Sequence, residues 1–189
     1  MRRFIPLLAL LLAACAAAAP EGPNFYLLDA PLPEAAPASD AAEVGLRELA
    51  LPLYARRPQM AVATESGALL VSDDHRWAEE PARAATRLVA RALAARRGAP
   101  VYADPWPQGA RPEIVATVEV DRFVGALGGE IALEGQITLA RLAARNRAET
   151  ATFSIRAPVA GQDHAALAAA YGAALDELAA ELARRLTAF

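Results

Sequence analysis

Few residues of this chain could act as catalysts or metal ligands. The two histidines are His75, which follows Asp73 and Asp74, and His164, which follows Asp163. Asp73-Asp74-His75 could in principle bind a metal, but three neighbours in a loop rarely converge on one ion, so a solvated loop is favoured. His164 suits the start of a helix better than the role of a general base. The chain has no His-Glu-x-x-His spacing and no Gly-x-Ser-x-Gly elbow, so we predict no catalytic and no metal-binding residues.

The single cysteine, Cys15, offers a different chemistry, because it can carry a covalent lipid. Arg2 and Arg3 precede a short apolar run that ends at Leu12, and two alanines separate Leu12 from Cys15. At about 10 residues the run is half the length that spans a bilayer, which predicts a secretory signal peptide. Leu-Ala-Ala-Cys resembles the lipobox of bacterial lipoproteins, whose cysteine becomes the acylated N-terminus. The alternative is an ordinary signal peptide with an incidental cysteine.

The lipobox resemblance also implies where in the cell the protein is located. Position +2 is Ala16 rather than the aspartate that favours inner-membrane retention in enteric lipoproteins, so we expect sorting to the outer membrane, facing the periplasm. Two or more acyl chains, palmitate among them, would anchor the protein stably. An acylated Cys15 leaves the folded domain without a thiol, which excludes disulfides and thiolate catalysis. We therefore expect no cofactor other than this covalent lipid.

Composition favours one folded domain with a substantial core. Removing residues 1–14 leaves 175 residues and changes the formal net charge from −3 to −5. All 19 basic residues are arginine, yet the mildly acidic chain lacks the electrostatic signature of a nucleic-acid-binding protein. We predict three parts: a signal peptide at 1–14, an acylated cysteine and tether at 15–23, and a single domain at 24–189.

A segment rich in proline, tyrosine and arginine interrupts the alanine-rich chain at residues 51–60, which we call the strap. Its two prolines favour extended backbone at the residues before them and present tyrosine and arginine side chains. A second element, Arg-Trp-Ala-Glu-Glu-Pro at 76–81, follows. Tyr and Trp rings beside arginine suit a loop clamp or a partner surface.

Two helices are predicted. One begins near Pro81, where preceding glutamates complement the helix dipole, and it ends at Gly98. It carries Arg83, Arg87 and Arg91 at intervals of four, which indicate either a solvated face or a docking face for an acidic partner or lipid headgroups. The other begins after Asp163, a credible N-cap. Its apolar stripe consists of Leu167, Tyr171, Leu175, Leu178, Leu182 and Leu186.

The strand signals are clearest where apolar and polar residues alternate. Residues 114–123, 131–139 and 151–157 each show one apolar face and predict an antiparallel meander covered on one side. Residues 25–28 and 44–51 predict two further strands, and Glu65-Ser66-Gly67 predicts a hairpin turn. Residues 30–42, with three prolines, predict a surface loop. The whole predicts an α+β fold: a mostly antiparallel sheet of about six to seven strands with two helices packed on one face.

Several motifs together resemble one known family. They are Leu-Pro-x-Tyr-x-x-Arg-Pro-Gln at 51–59, Arg-Trp-Ala-x-x-Pro at 76–81, Asp-Pro-Trp-Pro at 104–107, Val-x-Arg-Phe at 120–123 and Phe-Tyr-Leu-Leu at 25–28. They look like the PqiC/YmbA-type family of ABC-transport auxiliary lipoproteins. The resemblance extends from Cys15 to the final helix. It implies the following candidate residues for partner binding or for locking the fold: Leu51, Pro52, Tyr54, Arg57, Pro58, Gln59, Arg76, Trp77 and Pro81.

That resemblance implies a non-enzymatic outer-membrane lipoprotein that serves an MCE-type lipid-transport system and supports membrane integrity. Its implied partners are an MCE-domain protein and the permease and ATPase subunits of an ABC system, and self-association into a ring is possible by analogy. A second hypothesis is a lipid-binding module, with a lipid in a groove between sheet and helices. Small side chains there could leave space or allow close packing: Ala85, Ala92, Ala116, Ala151 and Ala174. A periplasmic hydrolase is the least favoured hypothesis, since no nucleophile–base pair is evident.

Overall fold

A computed structural model describes residues 22–143 and 147–189. The predicted signal peptide, Cys15 and most of the predicted tether lie outside the described residues. So do residues 144–146, between the second and third strands of the predicted meander. None of the helices in the described part of the chain is long and apolar enough to span a membrane.

The described residues form a mixed eight-stranded sheet and two long helices, which confirms the predicted α+β class. The helices are α1 (Pro81–Arg97) and α2 (His164–Ala188), and a one-turn 3-10 helix covers Leu53–Arg56. The strands are β1 (Asn24–Tyr26), β2 (Val44–Leu46), β3 (Gln59–Ala63), β4 (Leu69–Trp77), β5 (Val101–Ala103), β6 (Ile114–Gly125), β7 (Glu130–Arg141) and β8 (Ala148–Pro158). The sheet therefore exceeds the expected six to seven strands.

The predicted meander is the longest part of the sheet. β7 pairs antiparallel with β6 on one side and with β8 on the other. In β6, Ile114, Ala116 and Val118 are buried, while the residues between them are partly or fully exposed. The same alternation places Phe153 and Ile155 of β8 in the core. Because α2 contacts β7 and β8, it covers this apolar face.

The other half of the sheet contains parallel pairs that the sequence did not indicate. β2 lies between β6 and β5 and runs parallel to both. β1 is an edge strand, parallel to β4, with Asn24 opposite His75 and Tyr26 opposite Trp77. β3 and β4 form the predicted hairpin, and β3 joins β6 through Val62 and Gly125. The strand order is β1-β4-β3-β6-β2-β5.

Both helices begin at residues suited to that position, and α1 also ends at one. Pro81 begins α1, the side chain of Glu80 accepts hydrogen bonds from the backbone N–H groups of the first turn, and Gly98 ends the helix in the left-handed conformation (φ 61°). Asp163 caps α2 by accepting a 2.7 Å hydrogen bond from the amide of Ala166. The predicted apolar stripe of α2 is buried along its whole length.

Side-chain contacts hold the helices together over the sheet. A two-pronged ion pair joins the partly buried Arg96 of α1 to Asp176 of α2, with N–O distances of 2.7 and 2.8 Å. The polar Thr86 is also buried, and its hydroxyl accepts from the amide of Leu49 at 2.9 Å and donates to the carbonyl of Ala82. Helix α1 is therefore fixed both to α2 and to the segment that leads into the strap.

The segment 30–42 contains no helix or strand, as predicted, but it is packed on both helices. The amide of Ala36 donates to the carbonyl of Ala95, and the amide of Ser39 donates to that of Gly98. A Cβ atom at Gly98 would lie 1.9 Å from the carbonyl oxygen of Pro37. The backbone just before this segment, at Asp29, comes equally close to Gly172 of α2. Glycine is required at both helix positions because the loop backbone touches them.

Some sequence predictions about local structure were wrong. Asp73, Asp74 and His75 lie within strand β4 rather than in a loop. The second predicted strand ends at Leu46, since the chain then turns toward the strap and only Ala50 bridges back to β6. The predicted first strand begins one residue earlier and ends at Tyr26. The short strand β5 had no clear periodicity and was not predicted.

Candidate partner-binding site

The strap forms a short irregular turn that leads into β3. Arg57 has the extended backbone that the following Pro58 favours, Pro52 is extended as well, and the 3-10 helix lies between them. The amide of Ala55 donates to the carbonyl of Pro52 at 2.9 Å and closes this turn. The strap therefore has a defined shape rather than a uniformly extended one.

Tyr54 attaches the strap to the sheet. Its hydroxyl accepts a 2.9 Å hydrogen bond from the backbone amide of Phe123 in β6. The ring of Phe123 packs edge-on against Tyr171 of α2, with ring centroids 4.7 Å apart. Burial strongly raises the pKa of the Tyr171 phenol, so this ring stays neutral. Tyr54 is thus bonded to the junction of sheet and helix, and its polar group is occupied within the fold.

Trp77 extends the same aromatic cluster from the end of β4. Its side chain is buried and packs edge-on against Tyr171, with a centroid separation of 5.3 Å. Its amide donates to the carbonyl of Pro58 in the strap at 2.7 Å. The cavity between these side chains holds only about 10 Å³, the lower limit for one water molecule. This cluster is packed core, with no room for a ligand.

Gln59, Asp73 and Arg76 form a small polar network on the surface of the hairpin. The Asp73 carboxylate accepts from the Gln59 amide at 2.9 Å and from the Arg76 guanidinium at 2.7 Å. The hydrogen bond from Gln59, together with the hydrogen bond and charge of Arg76, lowers the pKa of Asp73. This pairing fixes Arg76 beside its own strand.

The predicted site residues therefore divide into two groups. Leu51, Trp77 and Pro81 are buried, while Pro52, Tyr54, Gln59 and Arg76 are partly buried. Arg57 and Pro58 are exposed, and so are two strap residues that the sequence analysis did not single out: Arg56 and Leu53, the latter 75% exposed. Among the described residues, neither Arg56 nor Arg57 makes a side-chain hydrogen bond or ion pair. The exposed residues Leu53, Arg56 and Arg57 form what we call the strap ridge.

The two histidines meet although 89 residues separate them. Their rings stack with centroids 3.5 Å apart and planes 5° from parallel, and they join the end of β4 to the start of α2. The Tyr26 hydroxyl lies 3.0 Å from Nδ1 of His75. Burial lowers the pKa of His164, the nearby His75 lowers it further, and Asp163 opposes the shift. No local pattern could reveal this contact.

The arginines of α1 have different surroundings. Arg83 and Arg91 are exposed, whereas Arg87 makes two hydrogen bonds of 2.7 and 2.8 Å to the Glu79 carboxylate. The side chain of Arg97 donates to the carbonyl of Ala42 at 2.8 Å. Of the three arginines that could have formed one docking stripe, only Arg87 has a charged partner among the described residues.

The sheet and the helices pack closely around the predicted alanines, and a groove of about 580 Å³ lies between β8 and α2, lined in part by the charged Arg156, Glu177 and Arg184. Within residues 22–143 and 147–189, no group of three or more His, Cys, Asp or Glu side chains is arranged to hold a metal ion. Ala85, Ala92, Ala116 and Ala174 are at most 1% exposed. Ala151 is partly buried. The small side chains at the four buried positions bring helices and sheet into close contact.

Comparisons with known proteins identify a family. The family model for the ABC-type transport auxiliary lipoprotein component matches residues 26–183. Among solved structures, an uncharacterised protein has a TM-score of 0.71 at 16% identity, and the match covers 88% of this chain and 99% of that chain. A Xanthomonas campestris protein of the DUF330 family has a TM-score of 0.66 at 23% identity, covering 84% of this chain and 92% of that chain. Both likenesses show a shared fold. No curated protein matches the sequence.

Proposed function

The chain belongs to the family of ABC-type transport auxiliary lipoprotein components, and from this premise we propose that it is the outer-membrane lipoprotein of an MCE-type lipid-transport system. It docks the periplasm-spanning conduit to the outer membrane, supports membrane integrity and performs no catalysis itself. The observation that carries this proposal is the family match, which runs from β1 into the last turns of α2. The lipobox-like sequence before Cys15 supports the location.

In this proposal Cys15 is the functional attachment point. Its acyl chains hold the protein at the periplasmic face of the outer membrane, and residues 16–23 connect them to a single domain at 24–189. Residues 16–23, fully extended, span about 26 Å, so the domain stays close to the bilayer. The lipid on Cys15 is the only non-protein group that the proposal requires.

The strap ridge supplies the contact with the transport system. Leu53 offers an exposed aliphatic side chain, and Arg56 and Arg57 offer guanidinium groups with no partner among the described residues. An exposed leucine beside unpaired arginines is typical of a protein-binding surface that meets an acidic patch. The buried half of the strap, held by Tyr54, fixes the position of this ridge.

Membrane copurification tests the proposed role of the anchor. Wild-type protein should purify from the outer-membrane fraction together with an MCE-domain protein or a permease or ATPase subunit. A Cys15→Ala variant should fold normally, appear in the soluble periplasmic fraction and fail to restore function in a deletion strain. A soluble variant that complements as well as wild type contradicts the role of the anchor, and the absence of all transport subunits contradicts the proposed system.

A second experiment tests the strap ridge separately from the anchor. Arg57→Glu reverses the charge of the ridge and should reduce recovery of the transport partner while leaving membrane location unchanged. Arg83→Glu, an identical change on the exposed face of α1, is the matched control and should leave recovery intact. Equal recovery with both variants would rule out the ridge as the contact.

The proposal includes a homo-oligomeric ring, which native mass spectrometry of the acylated protein in detergent can test. A single mass that corresponds to several copies supports it, and a monomer at all concentrations contradicts it.

A further inference from the structure

The β3–β4 hairpin ends in an apolar surface that the described domain does not cover. Residues 65–71 are all exposed, and this stretch includes Leu69 at 40%, Leu70 at 61% and Val71 at 46% exposure. We call residues 64–72 the hairpin tip. Three consecutive large aliphatic residues at a protruding turn need a partner, because soluble surfaces rarely expose contiguous apolar patches without a function.

The pairing of the strands shows why the hairpin tip is uncovered. β1 pairs with β4 only from His75 to Trp77, so within the described residues no strand lies on the outer edge of β4 from Leu69 to Asp74. On the other side, β3 reaches β6 only at Val62, opposite Gly125, the last residue of β6. The hairpin tip thus extends beyond the sheet.

The apolar surface continues from the tip into a groove. Leu70 and Val71 line it with Met60, Val62 and Leu127, and the volume of the groove is about 290 Å³. At its inner end the groove meets the stacked His75 and His164. Leu70 and Val71 are therefore continuous with this groove, and Leu69, on the opposite side of the strand from Leu70, adds a further exposed aliphatic side chain to the tip.

The position of the N-terminal chain indicates what this face meets. β1 runs parallel to β4, and Asn24 lies opposite His75, so the chain ahead of β1 enters from the side of the hairpin tip. Residues 16–23 can span at most about 26 Å between the lipid-bearing Cys15 and β1. The eight residues 67–74 of the hairpin also extend over about 26 Å. The anchor and the hairpin tip can therefore reach the same plane.

The polar groups of the tip are suited to a membrane interface. The turn closes with backbone hydrogen bonds from Gly67 to Thr64 and from Thr64 to Ala68, and the hydroxyls of Thr64 and Ser66 lie 2.9 Å apart. Glu65 is the only charged residue from 64 to 72. The remaining polar groups of the turn and of the outer edge of β4 can stay hydrated in a headgroup layer, which is polar and contains water. Asp73 and its partners mark where the charged surface begins.

We infer that the hairpin tip is a second membrane contact, which inserts Leu69, Leu70 and Val71 into the headgroup region of the lipid bilayer that holds the acylated Cys15. This contact rests on the proposed function because the acyl anchor brings the tip to the bilayer. It sets the orientation of the domain, with the β1–β4 edge toward the membrane. The opposite edge of the sheet, at β5, then faces away from it.

A site-specific fluorescent label tests this inference, since acylated Cys15 leaves no free thiol elsewhere. Leu70→Cys, labelled with an environment-sensitive nitrobenzoxadiazole probe, is reconstituted as the acylated protein in vesicles of phosphatidylethanolamine and phosphatidylglycerol. The matched control is Gln108→Cys, an exposed position in the loop after β5. We expect a blue shift and severalfold stronger quenching by spin-labelled lipids at position 70 than at position 108.

Each other outcome overturns the inference in a recognisable way. If the protein floats with the vesicles but the probe at position 70 shows no blue shift, the hairpin contact alone is overturned. Protein that fails to float overturns the acyl anchor as well. A blue shift that depends on protein concentration in the absence of vesicles identifies a second copy of the chain as the occupant. A blue shift of the position-70 probe that appears only after a soluble protein is added identifies a protein partner as the occupant.

Discussion

The strap and the hairpin tip lie at opposite ends of β3 and differ in how they use their side chains. The strap carries recognisable motif residues, yet its Tyr54 is bonded to Phe123, and Trp77 of the neighbouring Arg-Trp-Ala element packs with Phe123 in the aromatic cluster around Tyr171. The hairpin tip carries no motif, and its leucines are exposed. The comparison teaches that distinctive residues in this chain mostly hold the fold, while ordinary aliphatic residues provide free surface. The four predictions that follow test this difference, beginning with the largest effect.

Truncating the aromatic cluster should cost the most stability. Trp77→Ala removes a buried ring that packs against Tyr171, and we expect a loss of about 3–5 kcal/mol in the free energy of unfolding. Phe25→Ala is the matched control, since Phe25 lies on the neighbouring strand and is 63% exposed. Urea denaturation of both variants measures the difference. Similar losses in the two variants would contradict the assignment of Trp77 to the core.

Removing one hydroxyl in the strap should have a smaller effect. Tyr54→Phe leaves the partly buried amide of Phe123 without its acceptor, and we expect a loss of about 1 kcal/mol. Arg57→Ala, three residues along the strap, should change the unfolding free energy by no more than about 0.5 kcal/mol. Thermal unfolding of the two variants compares them. If Arg57→Ala were the more damaging change, the ridge would be part of the fold.

The stacked histidines should make stability depend on pH. Burial and His75 keep the pKa of His164 lower in the folded state than in the unfolded state, where it is about 6.5. The unfolded chain therefore binds a proton at His164 more readily than the folded protein does. The contribution of His164 to the free energy of unfolding is fully present above a pH of about 6.5 and is lost as the pH falls from there toward the pKa of the folded state. Denaturation at a series of pH values measures the slope of the unfolding free energy against pH. His164→Asn should flatten it, and an unchanged slope would mean that other groups cause it.

Changes at the hairpin tip should have the smallest effect on folding. Leu70→Ser replaces an exposed aliphatic side chain with a polar one, and we expect a change within about 0.5 kcal/mol. Thermal unfolding in solution provides the measurement. A clear destabilisation would show that the tip is packed against part of the domain, and its role as a free surface would have to be abandoned.

The sequence predicted the strands and helices whose apolar and polar residues follow a local repeat. The alternation in β6, β7 and β8 and the stripe of α2 each extend over many residues, and caps such as Asp163 and Gly98 have strong preferences. The three-residue strands β2 and β5 are too short to show a period. Their parallel pairing joins distant segments, which no local pattern encodes.

The same limit applies to the candidate site. The strap motif was found because its residue types are unusual, but only the tertiary structure shows that Tyr54 bonds the amide of Phe123. The stacking of His75 on His164 depends on how β4 meets α2 and has no sequence signature. Leu69, Leu70 and Val71 resemble buried strand residues in sequence, and their exposure follows from the absence of a neighbouring strand in the described sheet.

The segment 30–42 has a practical consequence for work on this protein. Its proline- and alanine-rich composition resembles a linker, the usual place to insert an epitope tag, a protease site or a new chain terminus. Its backbone nevertheless lies against Gly98, and the adjoining Asp29 lies against Gly172, so an insertion there would separate the loop from both helices. Such insertions should abolish folding, whereas the exposed turn at Glu65-Ser66-Gly67 should accept them in soluble protein.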